Sequence, residues 1–417
     1  MTETSISRRL AALAHQAAAQ PDLPRLRAIL AHNLTLATSP ARPAERLVLP
    51  GESGPVALAG RLAAQIYARA QDDWFDEGRC HIAPMVIAAA LASGTDDLYA
   101  AVAAGYAAEM PVAATYGLQA HKQGFRPTSM FGNIGAAAAA SVGLGLDAAQ
   151  TARAISLAAN ASAGHTRCMI EETDEWRLDL IRAARAGIEA ALLVQLMDAT
   201  AADHSFEGQN GWAQSYFDDR GAQRLNDTLA SRVFDLKQVG LKPYPASGVG
   251  FATIDAALKM RADLGGAPAD DARISLFAHE TVWLVPGAEA RGPYRSLLGA
   301  ALSLPCLAAQ GLLTGTVVPL IGPDLPADIA RVIAATAIHR DNSLPPQVAR
   351  MVLTQNGKSY EVMGDGDALM ALDFDSITAD PAGFALRFGV TAADVSRIIT
   401  ALPMGKVSAS AAIAALT

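Results

Sequence analysis

Small apolar residues at helical spacing dominate the first 265 residues, and this feature limits the fold more than any other. Apolar side chains, most of them alanine, recur at positions i, i+3, i+4 and i+7 in residues 60–70, 84–94, 97–109, 132–142, 147–160, 178–199 and 249–262. Because small side chains let helix axes approach closely, this pattern predicts a compact bundle of many helices.

The pattern changes after about residue 266. Residues 272–285 are rich in β-branched and aromatic side chains and alternate as a strand does. Two further alternating runs in residues 348–363 flank Asn356-Gly357, a dipeptide that suits the positive φ angles of a type I′ hairpin turn. Between these strands, residues 296–314 and 325–337 have helical spacing.

These segments predict a mainly α protein with two domains. The large all-helical domain takes residues 1–265. It also takes residues 391–417, because the tail after Thr391 is helical again, with Thr391 or Asp394 as its cap. A smaller α+β domain, with helices on an antiparallel sheet, takes residues 266–390.

Charge and hydrophobic content exclude several kinds of function. The chain carries 33 Lys and Arg against 41 Asp and Glu, a net charge of −8 at pH 7, so we expect no nucleic-acid partner. The longest uncharged stretch, residues 127–146, is dominated by Ala, Gly and Ser rather than by the Leu, Ile and Phe of a lipid-facing helix. We therefore expect a buried helix there and no membrane span.

The N-terminus and the cysteines indicate the cytoplasm. Residues 1–22 begin polar and continue as an amphipathic helix, without the continuous apolar core of a signal peptide. Cys80, Cys168 and Cys306 are far apart and odd in number, so they predict neither a disulfide framework nor a metal site. No phosphate loop, dinucleotide fingerprint or metalloprotease motif is present either.

Polar residues crowd two segments that lie beside apolar helices. Residues 71–81 contain four acids, an arginine and His81, a mixture in which carboxylates raise one another's pKa and a histidine can transfer protons. The alternative for this segment is a solvated loop that caps the next helix. Residues 121–129 place Arg126, Thr128 and Ser129 at the start of a buried helix, where free backbone N–H groups favour an anion. Ordinary helix capping by Thr128 and Ser129 is the alternative.

Two later segments also contain candidate residues. The acidic run 171–179 is typical of a solvated loop, but Arg177 and Asp179 stand at the start of an apolar helix and are better candidates for a site. In residues 242–248, two prolines hold Lys242 and Tyr244 in an extended stretch. Such a rigid loop is either a mount for a proton-transfer residue or a structural turn.

Taken in order, these motifs resemble the MmgE/PrpD family, which includes 2-methylcitrate dehydratase, cis-aconitate decarboxylase and iminodisuccinate epimerase. The matching motifs are an acidic-aromatic run before His81-Ile-Ala-Pro84, Gly105-Tyr106, Gly124-Phe125-x-Pro127-Thr128, Gly143-Leu-Gly145-Leu-Asp147, Arg177-Leu178, Lys242-Pro243-Tyr244-Pro245, Ser303-Leu304-Pro305 and the late Asn-Gly hairpin. Their order covers nearly the whole chain from about residue 60.

The resemblance implies an all-helical domain, a smaller α+β lid domain and an active site in the cleft between them. It also implies a homodimer that needs neither a metal nor an organic cofactor. Family members act on small polycarboxylates: they remove a proton next to a carboxylate, and then expel water or carbon dioxide or reprotonate the opposite face.

The sequence also departs from the family pattern. Arg126 stands where the family usually has a histidine, Trp176-Arg177-Leu178-Asp179 replaces Lys-x-Leu-His, Phe251 replaces a histidine, and Cys306 replaces an aromatic residue. Three interpretations follow. The chain is a lyase or epimerase with a different substrate, a non-catalytic family member, or an enzyme for a less charged substrate with Trp176 and Phe251 lining an apolar pocket.

We favour an active enzyme, because ionisable residues replace several of the lost ones. The prediction is a lyase, of the dehydratase or decarboxylase type, that abstracts a proton α to a carboxylate of a small di- or tricarboxylate; an epimerase is the second choice. His81 or Lys242 is the base. Asp73 holds or tunes the base, with Asp72 and Asp76 as alternatives for the family aspartate.

The remaining candidate residues are given a role in donating a proton or in binding the substrate. Tyr244 donates to the leaving group or to the opposite face. Arg126 and Arg177 clamp the substrate carboxylates in bidentate fashion, and Asp179, Thr128 and Ser247 complete the substrate-binding set.

Overall fold

The structure is a computed structural model that describes residues 4–39, 47–320 and 324–417. These residues form twenty α-helices: α1 (Ile6–Ala19), α2 (Leu23–Ala37), α3 (Gly54–Ile66), α4 (Ala83–Ala92), α5 (Leu98–Lys122), α6 (Pro127–Gly143), α7 (Ala148–Ala159), α8 (Arg167–Glu171), α9 (Glu175–Met197), α10 (Trp212–Tyr216), α11 (Gly221–Ser231), α12 (Phe251–Leu264), α13 (Leu297–Leu302), α14 (Leu304–Thr314), α15 (Ala327–Ala335), α16 (Gly366–Met370), α17 (Phe374–Ala379), α18 (Pro381–Phe388), α19 (Ala392–Thr400) and α20 (Ala409–Ala414). The six strands are β1 (Asp73–Phe75), β2 (Val239–Leu241), β3 (Arg273–Ala278), β4 (Thr336–Arg340), β5 (Val348–Gln355) and β6 (Lys358–Asp365). The predicted mainly α fold is confirmed.

Close packing of small residues holds the helical part together. Helix α6 packs against α4, α5, α7 and α9, and almost all of its side chains are buried. A Cβ added at Gly187 of α9 would lie 2.4 Å from the Ala136 Cβ of α6, so these two helices meet at a distance that only glycine allows. None of the helices in the described ranges is both long and apolar enough to cross a membrane.

The larger sheet has the order β4-β3-β5-β6. Asn356 and Gly357 have φ angles of 51° and 71°, so the predicted hairpin turn is confirmed. Two predictions for this region are wrong. The strand predicted over 272–285 ends at Ala278, and residues 280–284 form a 3₁₀ helix. The sheet is mixed rather than antiparallel, because the long helical connection after β3 returns the chain as the parallel strand β4.

Contacts between the two regions run across the predicted domain boundaries. Helix α12 packs against β5, β6 and α14, whereas α17 and α19 pack against α2. Thr391 caps α19 through a capping box with Asp394, as the sequence indicates. The division into two domains stays a prediction, and the contacts favour placing α12 with the sheet and residues 374–388 with the helical part.

Candidate active site

A short two-stranded sheet brings two of the polar segments together. Strand β1 pairs antiparallel with β2, with Asp73 opposite Leu241. At the end of this ladder the backbone N–H of Lys242 donates to the carbonyl of Asp72, 3.1 Å away. The acidic run 71–81 and the loop 242–248 therefore meet side by side, although more than 150 residues separate them in sequence.

Asp72 and Lys242 form a buried ion pair. Both residues are fully buried, and the Lys242 Nζ lies 3.0 Å from Asp72 Oδ1. Lys242 Nζ also donates to the carbonyls of Ala70, at 2.7 Å, and Ala246, at 3.4 Å. The three protons of the ammonium thus have three acceptors within the protein.

His81 is the second partner of Asp72. Its Nδ1 lies 3.2 Å from Asp72 Oδ2 and 2.7 Å from the backbone carbonyl oxygen of Asp73. Because both neighbours are acceptors, Nδ1 carries the proton in the neutral ring, and Nε2 carries the lone pair. Nε2 makes no hydrogen bond with any residue in the described part of the chain.

Burial and charge set the protonation states of this cluster. Burial lowers the pKa of His81, and the Asp72 carboxylate opposes this shift. Burial by itself would raise the pKa of Asp72, but the charges of His81 and Lys242 outweigh it and hold that pKa below its usual range. Burial also lowers the pKa of Lys242, against the effect of Asp72. Because the pKa of His81 lies below 6.5, its ring is a neutral imidazole at neutral pH, which is the state that a general base needs.

Asp73 has a different position from its neighbour. Its carboxylate accepts from the backbone N–H groups of Ile82 and Ala83 at the start of α4, and from the Tyr106 hydroxyl at 2.7 Å. Burial and then the Asp72 charge raise the pKa of Asp73, while these hydrogen bonds oppose the shift. Asp73 accepts from the His81 ring through its backbone carbonyl, and its side chain anchors α4 beneath the cluster.

A small cavity of about 50 Å³ lies over His81, where the helical part meets residues 285–302. From the helical part it is lined by Tyr67, Trp74, Arg79, His81, His121, Arg126, Thr128 and Met169. Lys242, Ser247, Val285, Leu298, Ala301 and Leu302 complete the wall. Four of the predicted site residues besides His81 thus reach the same cavity: Lys242, Arg126, Thr128 and Ser247.

Arg126 is a buried cation at this cavity. One guanidinium nitrogen donates to the Trp176 carbonyl, the other to the Tyr67 hydroxyl at 3.0 Å, and Nε has no acceptor in the described chain. No acidic side chain of the described residues forms an ion pair with it. Thr128 supports the site from below, since its hydroxyl accepts from the His81 backbone N–H at 3.3 Å.

The structure does not bring the other predicted residues to this cavity. Tyr244 is buried elsewhere, near Arg387. Arg177 donates to the Ala68 carbonyl and lies over the Trp176 ring. Asp179 lines a separate pocket of about 430 Å³. A clamp of Arg126 and Arg177 on one substrate is therefore wrong for this arrangement.

The apolar pocket predicted from Trp176 and Phe251 is also not formed by those residues. The Trp176 ring is buried against Tyr67, with ring centroids 5.1 Å apart. Phe251 is fully buried at the start of α12. The apolar wall comes instead from Met169 and from residues 285–302.

Comparison with known families agrees with the sequence motifs. Residues 28–225 match the MmgE/PrpD N-terminal domain. This match supports membership of the chain in the MmgE/PrpD family. The matched segment includes Asp72, His81 and Arg126 but ends before Lys242. This family is known for lyases of the dehydratase and decarboxylase type. No curated protein matches the sequence.

The sequence analysis did not identify several residues that line the cavity. Tyr67 and Trp74 pack on the His81 ring, with centroids 5.2 Å and 5.1 Å away. The position of Trp74 could have been predicted, because an aromatic residue inside an acidic run indicates that the run is buried. His121, whose Nε2 lies 2.7 Å from the Leu284 carbonyl oxygen, stands in a segment already marked as polar. The apolar wall over residues 285–302 has no comparable signal.

Asp72, Asp73 and His81 also offer three atoms that could surround a metal ion. Asp72, however, already has an ammonium 3.0 Å from one oxygen. Asp73 points its carboxylate to the start of α4. The Lys242 charge competes with any cation for the Asp72 carboxylate, so the donor set fits an ion-pair network better than a metal site.

Proposed function

We propose that this protein is a cofactor-independent lyase that removes a proton from the carbon next to the carboxylate of a small acid. Loss of water or carbon dioxide then follows. The observation that supports this proposal best is the placement of His81: its Nδ1 lies against Asp72 Oδ2 and the Asp73 carbonyl, and its Nε2 has no partner among the described residues.

The geometry gives each residue a separate part. The Arg126 guanidinium binds the substrate carboxylate, and its unpaired Nε supplies a donor. His81 Nε2 takes the α-proton, and the ionised Asp72 stabilises the imidazolium that forms. The imidazolium can then return this proton to the leaving hydroxyl. Lys242, whose three protons are already engaged, positions Asp72 rather than acting as the base.

An epimerase is the second candidate, because a second histidine lines the same cavity. His121 directs Nε2 to the Leu284 carbonyl, and its Nδ1 has no hydrogen-bond partner in the described chain. In the enzyme form that starts with His121 protonated at Nδ1, His81 would remove the α-proton and His121 would deliver its own to the opposite face; this inverts the α-carbon and leaves the proton on His81. The homodimer implied by the resemblance and the cytoplasmic location expected from the sequence stay predictions.

Proton NMR in D₂O tests the proposal. The enzyme is incubated with small hydroxy acids and amino acids that carry one, two or three carboxylates. We expect loss of an α-proton signal together with a new alkene signal. A His81→Gln variant should abolish both, whereas His204→Gln, at an exposed histidine, should not. Exchange without an alkene would favour the epimerase. Silence across a panel that includes every charge class would contradict both.

A further inference from the structure

The charges around the cavity leave a single cation for a substrate. Three basic side chains other than histidine line it: Arg79, Arg126 and Lys242. Lys242 is paired with Asp72 at 3.0 Å, and Arg79 lies 3.6 Å from Asp76 Oδ1. Both therefore have a carboxylate within the protein. Arg126 has none among the residues that the structure describes.

Arg126 needs a counter-charge that the described residues do not supply. Its side chain is fully enclosed, and it makes neutral contacts only, to a carbonyl and a phenol. The charge of Arg126 acts on the pKa of Asp179. The Asp179 side chain, however, lines the neighbouring pocket and forms no ion pair with Arg126. A buried, unpaired cation is costly, and one substrate carboxylate would relieve that cost.

A second substrate carboxylate would have no such partner. Met169, Val285, Leu298, Ala301 and Leu302 form an apolar part of the wall. Thr128 and Ser247 add hydroxyls without charge, and the ionised Asp72 would repel another anion. At about 50 Å³, the cavity also favours a short acid over a citrate-sized one.

We propose that the site takes a short-chain monocarboxylate, namely a 3-hydroxy acid or the corresponding 2-enoate, rather than a di- or tricarboxylate. This inference rests on the lyase proposed above. In the forward direction the C–H bond at C2 and the C–O bond at C3 break, a C2=C3 double bond forms, and the proton and hydroxide leave as water. No oxidant, reductant or co-reactant takes part.

Isothermal titration calorimetry with two matched acids tests the charge class. 3-Hydroxybutyrate and malate share the same four-carbon skeleton and differ in one terminal methyl or carboxylate. We expect 3-hydroxybutyrate to bind at least about tenfold more tightly, because the second carboxylate would be desolvated without a partner. Equal or tighter binding of malate would overturn the inference, and so would the absence of binding by both acids.

Variants assign the effect to Arg126. Arg126→Gln should weaken 3-hydroxybutyrate binding by roughly 10- to 100-fold, the loss of a charge-assisted hydrogen bond. Arg8→Gln, at an exposed arginine, should leave it unchanged. Circular dichroism checks that each variant is folded, and the comparison of the two acids on the unaltered protein stands without any variant.

The two proposals fail separately. His81→Gln should still bind 3-hydroxybutyrate while losing α-proton exchange, because it removes the base but not the guanidinium. If malate or citrate is turned over and the monocarboxylates are not, the lyase stands and the monocarboxylate inference is wrong. If 3-hydroxybutyrate binds tightly but no acid in the NMR panel exchanges its α-proton, the lyase is wrong.

Discussion

Removing the charge of Asp72 should slow the reaction and weaken the fold by separate routes. Asp72 Oδ2 lies 3.2 Å from His81 Nδ1, where unit charges attract by roughly 5 kcal/mol at an effective dielectric constant of about 20. Lys242 cancels part of this attraction. If about 3 kcal/mol remains for the imidazolium that forms in the transition state, Asp72→Asn should lower kcat/KM by roughly 100-fold.

The same substitution leaves the Lys242 ammonium buried without its carboxylate. Breaking one side of a buried pair costs about 3–5 kcal/mol of unfolding free energy. A double variant, Asp72→Asn with Lys242→Met, removes both charges and should recover most of that stability. It should remain slow, because the imidazolium still lacks its anion. Stability and catalysis are thereby separated.

The assay combines urea denaturation with initial rates of alkene formation. Glu77→Gln is the matched control, because Glu77 lies in the same acidic run but is solvent-exposed and pairs only with Arg232. It should change the unfolding free energy by no more than about 0.5 kcal/mol and leave the rate unchanged. A folded Asp72→Asn variant with unaltered kcat/KM would refute the role given to Asp72.

Three further predictions concern pH and the neighbouring residues. The base must be deprotonated, and burial lowers the pKa of His81 from its ordinary 6.5. In a pH profile of kcat/KM, the rate should therefore persist below pH 6.5 and fall only at still lower pH. Because Asp72 raises the pKa of His81, Asp72→Asn should shift this fall to a lower pH. Asp73→Ala should lower the unfolding free energy by about 1–2 kcal/mol in urea denaturation, because α4 loses a cap. It should lower the rate less than Asp72→Asn does, and an equal loss of rate would contradict the placement of Asp73. Tyr244→Phe should leave the rate of alkene formation within about twofold, because Tyr244 does not line the cavity, and a 100-fold loss would contradict this.

Local signals in the sequence were sufficient for most elements. Each of the seven helical segments predicted from periodicity overlaps a helix, and the Asn356-Gly357 turn and the Thr391 cap form as expected. The parallel pairing of β4 with β3 could not be predicted in this way. It depends on how a long helical connection crosses the sheet, and no residue in either strand encodes that path.

Five of the predicted site residues line one cavity, but the sequence does not assign the role of each side chain. Asp72 and Asp73 are adjacent, and both place a carboxylate oxygen near the His81 ring. Asp72 forms the ion pair with His81 whereas Asp73 accepts from the start of α4, and the sequence alone does not decide which does which. Arg177 and Asp179 lie near Arg126 in the fold but not at the cavity, because the orientation of α9 turns them away.

The most direct measurement follows deuterium loss from α-deuterated 3-hydroxybutyrate and from a matched α-deuterated dicarboxylate in water, by mass spectrometry. The unaltered protein is compared with His81→Gln and His121→Gln. We expect the unaltered protein and His121→Gln to release α-deuterium with formation of the enoate, and His81→Gln to release none. Release that survives His81→Gln with either acid would contradict the claim that His81 is the base.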